Sequence, residues 1–373
     1  MTVLLFAAIH ICSRIFVLFA LSCYLYVYFF SVLWFLFVRT PQTKDWTTGM
    51  VELSLAGCSQ VSVIKIVYAI LFAKRIQTLV DSYLQFDAIK SPGESFAINL
   101  RVNLRKIKKR VIFVWSALII NGIAYISIPL MIPGRHFPED LFVVYGLEPM
   151  FESPNFEIAN FMMNISVVFT VFSLANVTSL ILILVGYTEA HMLTLGEEML
   201  NLWDKANQCT DAKTSIEDVH IEDMKNMFVK TQLAHIVHLH VVNIQNIKNL
   251  EYTFRLSKAL EFLIGMYSII TELLGGIENT YVQMPFTFAL IYIDCVGGQR
   301  LIDACEVFEE AVYSCNWENF NVENMKTVSI ILQNSQKTLT LTAGGIAVLD
   351  YACMVAFVKM CYSMYTTLRM VVN

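Results

Sequence analysis

From Ile15 to Val38 the chain carries no charged residue. A helix of about 20 apolar residues crosses the hydrocarbon of a bilayer, so this run is long enough to span. It is too long for the apolar core of a secretory leader, and residues 1–13 supply no basic flank for one. It is therefore read as a span kept in the mature protein. Six further apolar runs follow, at 51–73, 111–132, 159–187, 258–277, 281–299 and 346–369. Glu261 and Glu272 interrupt the fifth, and the uncharged core of the sixth is short. Such segments persist in a membrane when neighbours or water shield their polar positions. Of 373 residues 15% are charged and 56% hydrophobic, with mean hydropathy +0.58; a soluble domain carries about 25% charge. The expected fold is all-α, a seven-transmembrane helical protein of the plasma membrane.

Lysine and arginine set the orientation of such a chain. Between the second and third runs there are nine of them against three acids; the next loop holds Arg135 against Glu139, Asp140, Glu148, Glu152 and Glu157. The basic loop belongs in the cytosol, which gives a cytosolic N-terminus and an extracellular C-terminus. The basic run Arg101–Arg110 is expected to touch anionic membrane lipid, not nucleic acid. The organisation is then 1–187 for the first four spans and 188–257 for a cytosolic loop and helix. Spans five and six occupy 258–299, cytosolic helices 300–345, and the last span 346–373.

Three apolar stripes lie outside the runs. Leu233, Ile236, His240, Ile247, Leu250 and Phe254 recur at helical spacing, on a helix expected to continue into the fifth span. Leu301, Cys305, Phe308 and Val312 form the second stripe; Val322, Met325, Val328 and Leu332 form the third. Stripes of this kind must be covered, which predicts a cytosolic helical bundle and a subunit interface. Asn316–Asn319 reads as a turn, and Gly344-Gly345 as a break before the last span. On that last helix Ala352, Ala356, Lys359, Ser363, Thr366 and Met370 share one face, small or polar. Met354, Phe357, Val358, Cys361, Tyr365 and Leu368 share the other. A lysine within a span faces a water path or a partner, so the polar face is assigned to a pore.

The outer halves of the spans collect aromatic, sulfur-bearing and small polar residues: Cys58 and Ser62, then Gly122, Tyr125 and Ile126. Phe161, Ile165 and Phe169 follow on the fourth span, Met284 and Phe288 on the sixth. Together they are candidates for a small apolar pocket with a few polar anchors. The nine cysteines include no C-x-x-C pair. His235, His238 and His240 lack a further ligand at useful spacing for a metal. No nucleophile–base or paired-carboxylate pattern has a structural context, so neither an enzyme nor a cofactor is expected.

The stretch C-E-V-F-E-E-A-V-Y-S-C-N-W (Cys305–Trp317) resembles the insect odorant receptors, as do L-T-L-T-A-G (Leu339–Gly344) and K-x-x-Y-S-x-x-T-x-L (Lys359–Leu368). Thr338 and Gly345 depart from the residues usual in that family. The resemblance implies an odorant-gated, nonselective cation channel of four subunits, with a cytosolic anchor and a pore lined by the last helix. It implies a tuning subunit that opens with a coreceptor subunit in a heterotetramer, since the coreceptor's longer second cytosolic loop is missing. A volatile ligand would bind in the outer half of spans two, three, four and six. A gate would lie around Thr366, Thr367 and Met370, in olfactory dendrites. A gustatory receptor of the same superfamily and, from another class, a secondary transporter are the alternatives; no internal repeat of the transporter kind is visible.

Overall fold

The computed structural model describes residues 15–88, 94–211, 218–281, 283–337 and 339–372. The expected cytosolic N-terminus, Lys90, Thr338 and Asn373 lie outside them. Helix α1 (Ile15–Thr43) is the charge-free run, with wide π-type turns over Leu25–Ser31 and Phe35–Arg39. Lys44 turns the chain in the left-handed region. Asp45 then caps α2 (Trp46–Leu71), its carboxylate accepting from the Thr48 amide at 3.1 Å. Next come α3 (Ala73–Ala88), α4 (Glu94–Met131), α5 (Asn155–Leu200) and α6 (Leu202–Asp211), then α7 (Asp218–Leu274) and the short α8 (Ile277–Thr280). Helix α9 (Met284–Tyr313) is followed by a single 3₁₀ turn at Trp317–Asn319, where the turn was expected, and by α10 (Val322–Ser335). Strands β1 (Thr342–Ala343) and β2 (Ala347–Val348) precede α11 (Tyr351–Val372). α4, α5 and α7 contain 38, 46 and 57 residues. At 1.5 Å per residue they reach roughly 57, 69 and 86 Å, about two to three times the hydrocarbon thickness of about 30 Å. Each therefore crosses and continues well beyond the membrane. α1, α2, α4 and α5 are long and apolar enough to cross by length and composition alone; α7, α9 and α11 carry charges and depend on neighbours.

The three stripes meet where these extensions converge. Leu233, Ile236, Ile247, Leu250 and Phe254 of α7 join Leu301, Cys305, Phe308 and Val312 of α9, Val328 of α10, and the lower half of α5. Phe308 is fully buried. The helical bundle is present, and most of each stripe is covered within one chain, while Val322 of the third stripe stays exposed. His240 turns into this core, its ring 4.5 Å from that of Phe308, and burial lowers its pKa to about 4. A neutral histidine packed on phenylalanine is what the three-histidine segment supplies, and no metal-ligand cluster occurs among the described residues.

The Gly344-Gly345 break is a tight hairpin with φ of 71° and 77°, conformations that suit glycine. It pairs Thr342 with Val348 and Ala343 with Ala347. Glu251 of α7 accepts from the Thr342 amide at 2.8 Å and from its hydroxyl, and the Gly344 amide donates to the Arg255 carbonyl at 2.8 Å. The hairpin thus ties the start of α11 to α7 at the membrane-side edge of the bundle, a small β element in an otherwise helical fold.

Candidate functional site: an enclosed cavity and a bare last helix

Between the bundle and the opposite pole, α2, α5, α7 and α9 hold four buried charges. Lys65 Nζ lies 3.2 Å from Glu261 and donates to Thr178 at 2.9 Å. Lys258 reaches Glu261 at 3.1 Å and Asp294 at 2.7 Å. Two cations and two anions balance, which is what makes a charged cluster tolerable out of water. About two to three turns away along the same helices, Ser54, Ser268, Glu272 and Thr287 form a second polar knot, in which Thr287 donates to Glu272 at 2.8 Å.

Beyond this knot lies a cavity of about 70 Å³. Helix α2 contributes Leu55, Cys58, Ser59 and Ser62; α4 contributes Asn121, Gly122 and Tyr125; α5 contributes Val167, Thr170 and Val171. Tyr28 of α1, Gln283 at the N-cap of α9 and Phe286 complete the wall. Gly122 permits the close approach of α4 to α5, since a Cβ there would sit 2.7 Å from Val171 Cγ1. The wall is apolar apart from a few groups, and two of these are unsatisfied: Tyr125 Oη and Gln283 Oε1 have no hydrogen-bond partner among the described residues. Gln283 is held by its other atom, Nε2 donating to Ser54 at 3.1 Å. The loop after α4 packs behind this wall. Phe142 stacks obliquely on Tyr28 at 5.5 Å, and Glu52 accepts from the Val143 amide at 2.9 Å.

The last helix contrasts with this enclosure. Phe357 and Cys361 are buried against Ile269 of α7 and Ile291 and Cys295 of α9. Lys359, Ser363, Thr367 and Met370 are exposed and Thr366 is half-buried. Val355, Met360, Tyr362 and Leu368 are exposed as well, so Val358 and Leu368, assigned to the packed face from the sequence, are open. Only one narrow strip of α11 touches the rest of the chain.

A sequence model described as 7tm Odorant receptor matches residues 45–362, which includes every wall of the cavity beyond α1 and most of α11. The chain belongs to the odorant receptor family. Family membership makes it a multi-pass membrane receptor and not an enzyme. It is 33% identical over 64 residues to the odorant receptor coreceptor of Ooceraea biroi, a stretch that is 17% of this chain and 13% of that protein. Against odorant receptor 33a of Drosophila melanogaster it is 26% identical over 129 residues, 32% of this chain and 34% of the relative. These alignments span well under two thirds of either relative. The fold matches that of the insect olfactory receptor OR5 from Machilis hrabei in complex with eugenol, with TM-score 0.71 and 12% identity, covering 98% of this chain and 90% of that one.

In this odorant receptor the structure brings Cys58, Ser62, Gly122 and Tyr125 together around the cavity. It does not bring the other expected residues there. Ile126, Phe161 and Ile165 line a shallow outward groove with Phe16 and Val168. Phe169 packs on Tyr24 at 6.3 Å. Met284 is not in the cavity wall, and Phe288 turns to the α11 side among Ile291 and Phe357. The residues missed include Val167, Thr170, Gln283 and Phe286. On α5 the interior follows Met163, Ser166, Thr170 and Leu174, all buried, and small polar side chains at helical spacing mark it better than the aromatics do.

Proposed function

We propose that this chain is an odorant-tuning subunit whose cavity takes a small volatile molecule and whose last helix lines a cation pore shared with coreceptor subunits in a heterotetramer. One observation carries the reading: α9 faces the cavity with Gln283 and Phe286 and packs against α11 with Phe288, Ile291 and Cys295. A ligand that displaces Phe286 therefore pushes on the helix that supports the bare one. The orientation follows the basic loop before α4, with the cavity toward the outside, the bundle in the cytosol and the protein in the plasma membrane. Lys359, Ser363, Thr366, Thr367 and Met370 are the proposed pore positions.

The cavity also favours a ligand class. About 150 Å³ suffices to hold benzene in an apolar protein cavity, so a cavity of about 70 Å³ must open by side-chain movement on binding. Unsatisfied buried polar groups are costly, and Tyr125 Oη with Gln283 Oε1 suits a ligand bearing one hydroxyl. The test is the current evoked by volatile alcohols and by their methyl ethers, in cells expressing this chain with and without a coreceptor. Alcohols should win by about tenfold, the worth of about 1.4 kcal/mol, and the chain alone should give little current. Equal potency of the matched pairs defeats the ligand assignment, and full responses without coreceptor defeat the subunit assignment.

A further inference from the structure

A second, larger hollow lies far from the odorant cavity. It is a groove of about 260 Å³ between α4, α5 and α9. Its walls are apolar, among them Phe113, Leu182, Val185, Tyr292 and Val296. Gly297 forms part of the floor, where an added Cβ would make only ordinary contact, 3.6 Å from Leu182. Phe113 and Tyr292 are largely exposed, so the groove opens sideways toward the surroundings of the helices.

Its charges sit at one end and at one depth. Arg110 immediately precedes the apolar run of α4, Glu189 follows that of α5, and Arg300 follows that of α9. Three helices thus place charged groups at the same membrane boundary. Arg110 neutralises Glu189 at 2.7 Å. Arg300 is exposed and has no acidic partner among the described residues. On the adjoining turns of α4, Arg105, Lys108 and Lys109 are also exposed. An open apolar slot with a free guanidinium at its mouth, set in a field of further cations, matches a molecule with a long apolar tail and an anionic head. A guanidinium binds a phosphate through two parallel hydrogen bonds, which ammonium groups cannot reproduce.

We propose that this groove holds one anionic phospholipid, its phosphate on Arg300 and an acyl chain lying between α4, α5 and α9 against Gly297. The orientation above makes the lipid one of the cytosolic leaflet; the site itself does not depend on that orientation. Because α9 carries both this groove and a wall of the odorant cavity, the lipid braces the helix that the odorant must move.

The test uses the full chain with its coreceptor in phosphatidylcholine vesicles. These carry a trace of phosphatidylserine or phosphatidylcholine bearing a photoreactive diazirine on the first few carbons of an acyl chain. After illumination, labelled peptides are mapped by mass spectrometry. The expected result is labelling of the α4 and α9 segments around Phe113 and Val296, several-fold stronger with the serine lipid. Arg300→Gln should reduce the serine lipid to the level of the choline lipid, and Arg300→Lys should keep an intermediate preference. Gly297→Leu should abolish labelling of these segments by both. Arg300 is exposed, so its variants test the headgroup without disturbing the core. Equal labelling by the two lipids in the unaltered protein overturns the proposal. So does an undiminished serine-lipid signal in Arg300→Gln, or labelling that never reaches the groove.

Discussion

The helical bundle and the last helix are built on opposite terms. In the bundle, α5, α7, α9 and α10 bury one another's apolar faces, and Phe308, Leu233 and Ile236 are almost wholly covered by their own chain. Helix α11 is covered only along Phe357 and Cys361, while Tyr362, Met360, Val355 and Met370 stay open. One region is largely covered by its own chain, and the other is left open by it. The difference separates two kinds of sensitivity, folding in the first and assembly or conduction in the second.

The largest effect should come from Phe308→Ala. Emptying a buried phenylalanine site costs about 3–5 kcal/mol, and the folded fraction measured by thermal unfolding in detergent should fall sharply. Tyr362→Ala on the open side of α11 should change that stability by no more than about 0.5 kcal/mol. It should instead lower recovery of the complex with coreceptor. Equal loss of folded protein in both variants would erase the contrast.

Next in size is the buried charge cluster, which lies between the two regions. Glu261→Gln leaves Lys65 and Lys258 facing Asp294 alone, and breaking a buried ion pair from one side costs about 3–5 kcal/mol at most sites. Pairing that change with Lys65→Met restores the balance of charge. The double variant should recover much of the lost melting temperature. Failure to recover would mean that the cluster holds the helices by shape and not by charge balance.

The bundle was readable from the sequence because its surroundings are aqueous. There, an apolar stripe such as Leu301, Cys305, Phe308 and Val312 can only be an inner face. The membrane half offers no such rule, since lipid is as apolar as a protein interior. Phe161 and Ile165 looked suited to a pocket and lie in an outward groove, whereas Thr170 and Gln283 line the cavity. Phe286 and Phe288 differ by two positions, about 200° of helix rotation, and only the packing of α9 against α11 decides which of them faces the ligand. Glu261 was visible as an interruption of its span, but Lys65 and Asp294, its neighbours in space, are far from it in sequence. On α11 the strip of Phe357 and Cys361 followed from periodicity. How bare the rest would be depends on what the chain itself does not bring.

The bareness of α11 can be probed side chain by side chain. Cysteine at Ser363 or Thr367 should react with a water-soluble thiol reagent in the assembled channel during odorant application. Cysteine at Phe357 should stay protected behind α9. Changes in current on labelling report the reaction, and the opposite pattern would turn the polar face away from the pore.

The smallest effect is expected at the other pole, where the loop after α4 packs against Tyr28 of the cavity wall. Glu139 in that loop is buried beside Asp140, with Glu272 nearby. Burial first, then those negative charges, push its pKa from 4.5 up to about 8. Its neighbour His136 is half-buried and binds Asp140 at 2.7 Å, which raises the histidine's own pKa. A carboxyl whose folded pKa is raised favours the folded loop fully below its ordinary value and loses that contribution as pH climbs toward the folded value. The packing of this loop should therefore loosen between about pH 4.5 and 8, most steeply across the middle of that range. Hydrogen exchange of the Phe142 and Val143 amides, which bond to the Glu139 carbonyl and to Glu52, reads that packing directly, after correction for the intrinsic pH dependence of exchange. Glu139→Gln should flatten the profile by removing the titrating group, leaving only the weaker trend of His136. A profile that keeps its slope in Glu139→Gln would place the sensitivity elsewhere.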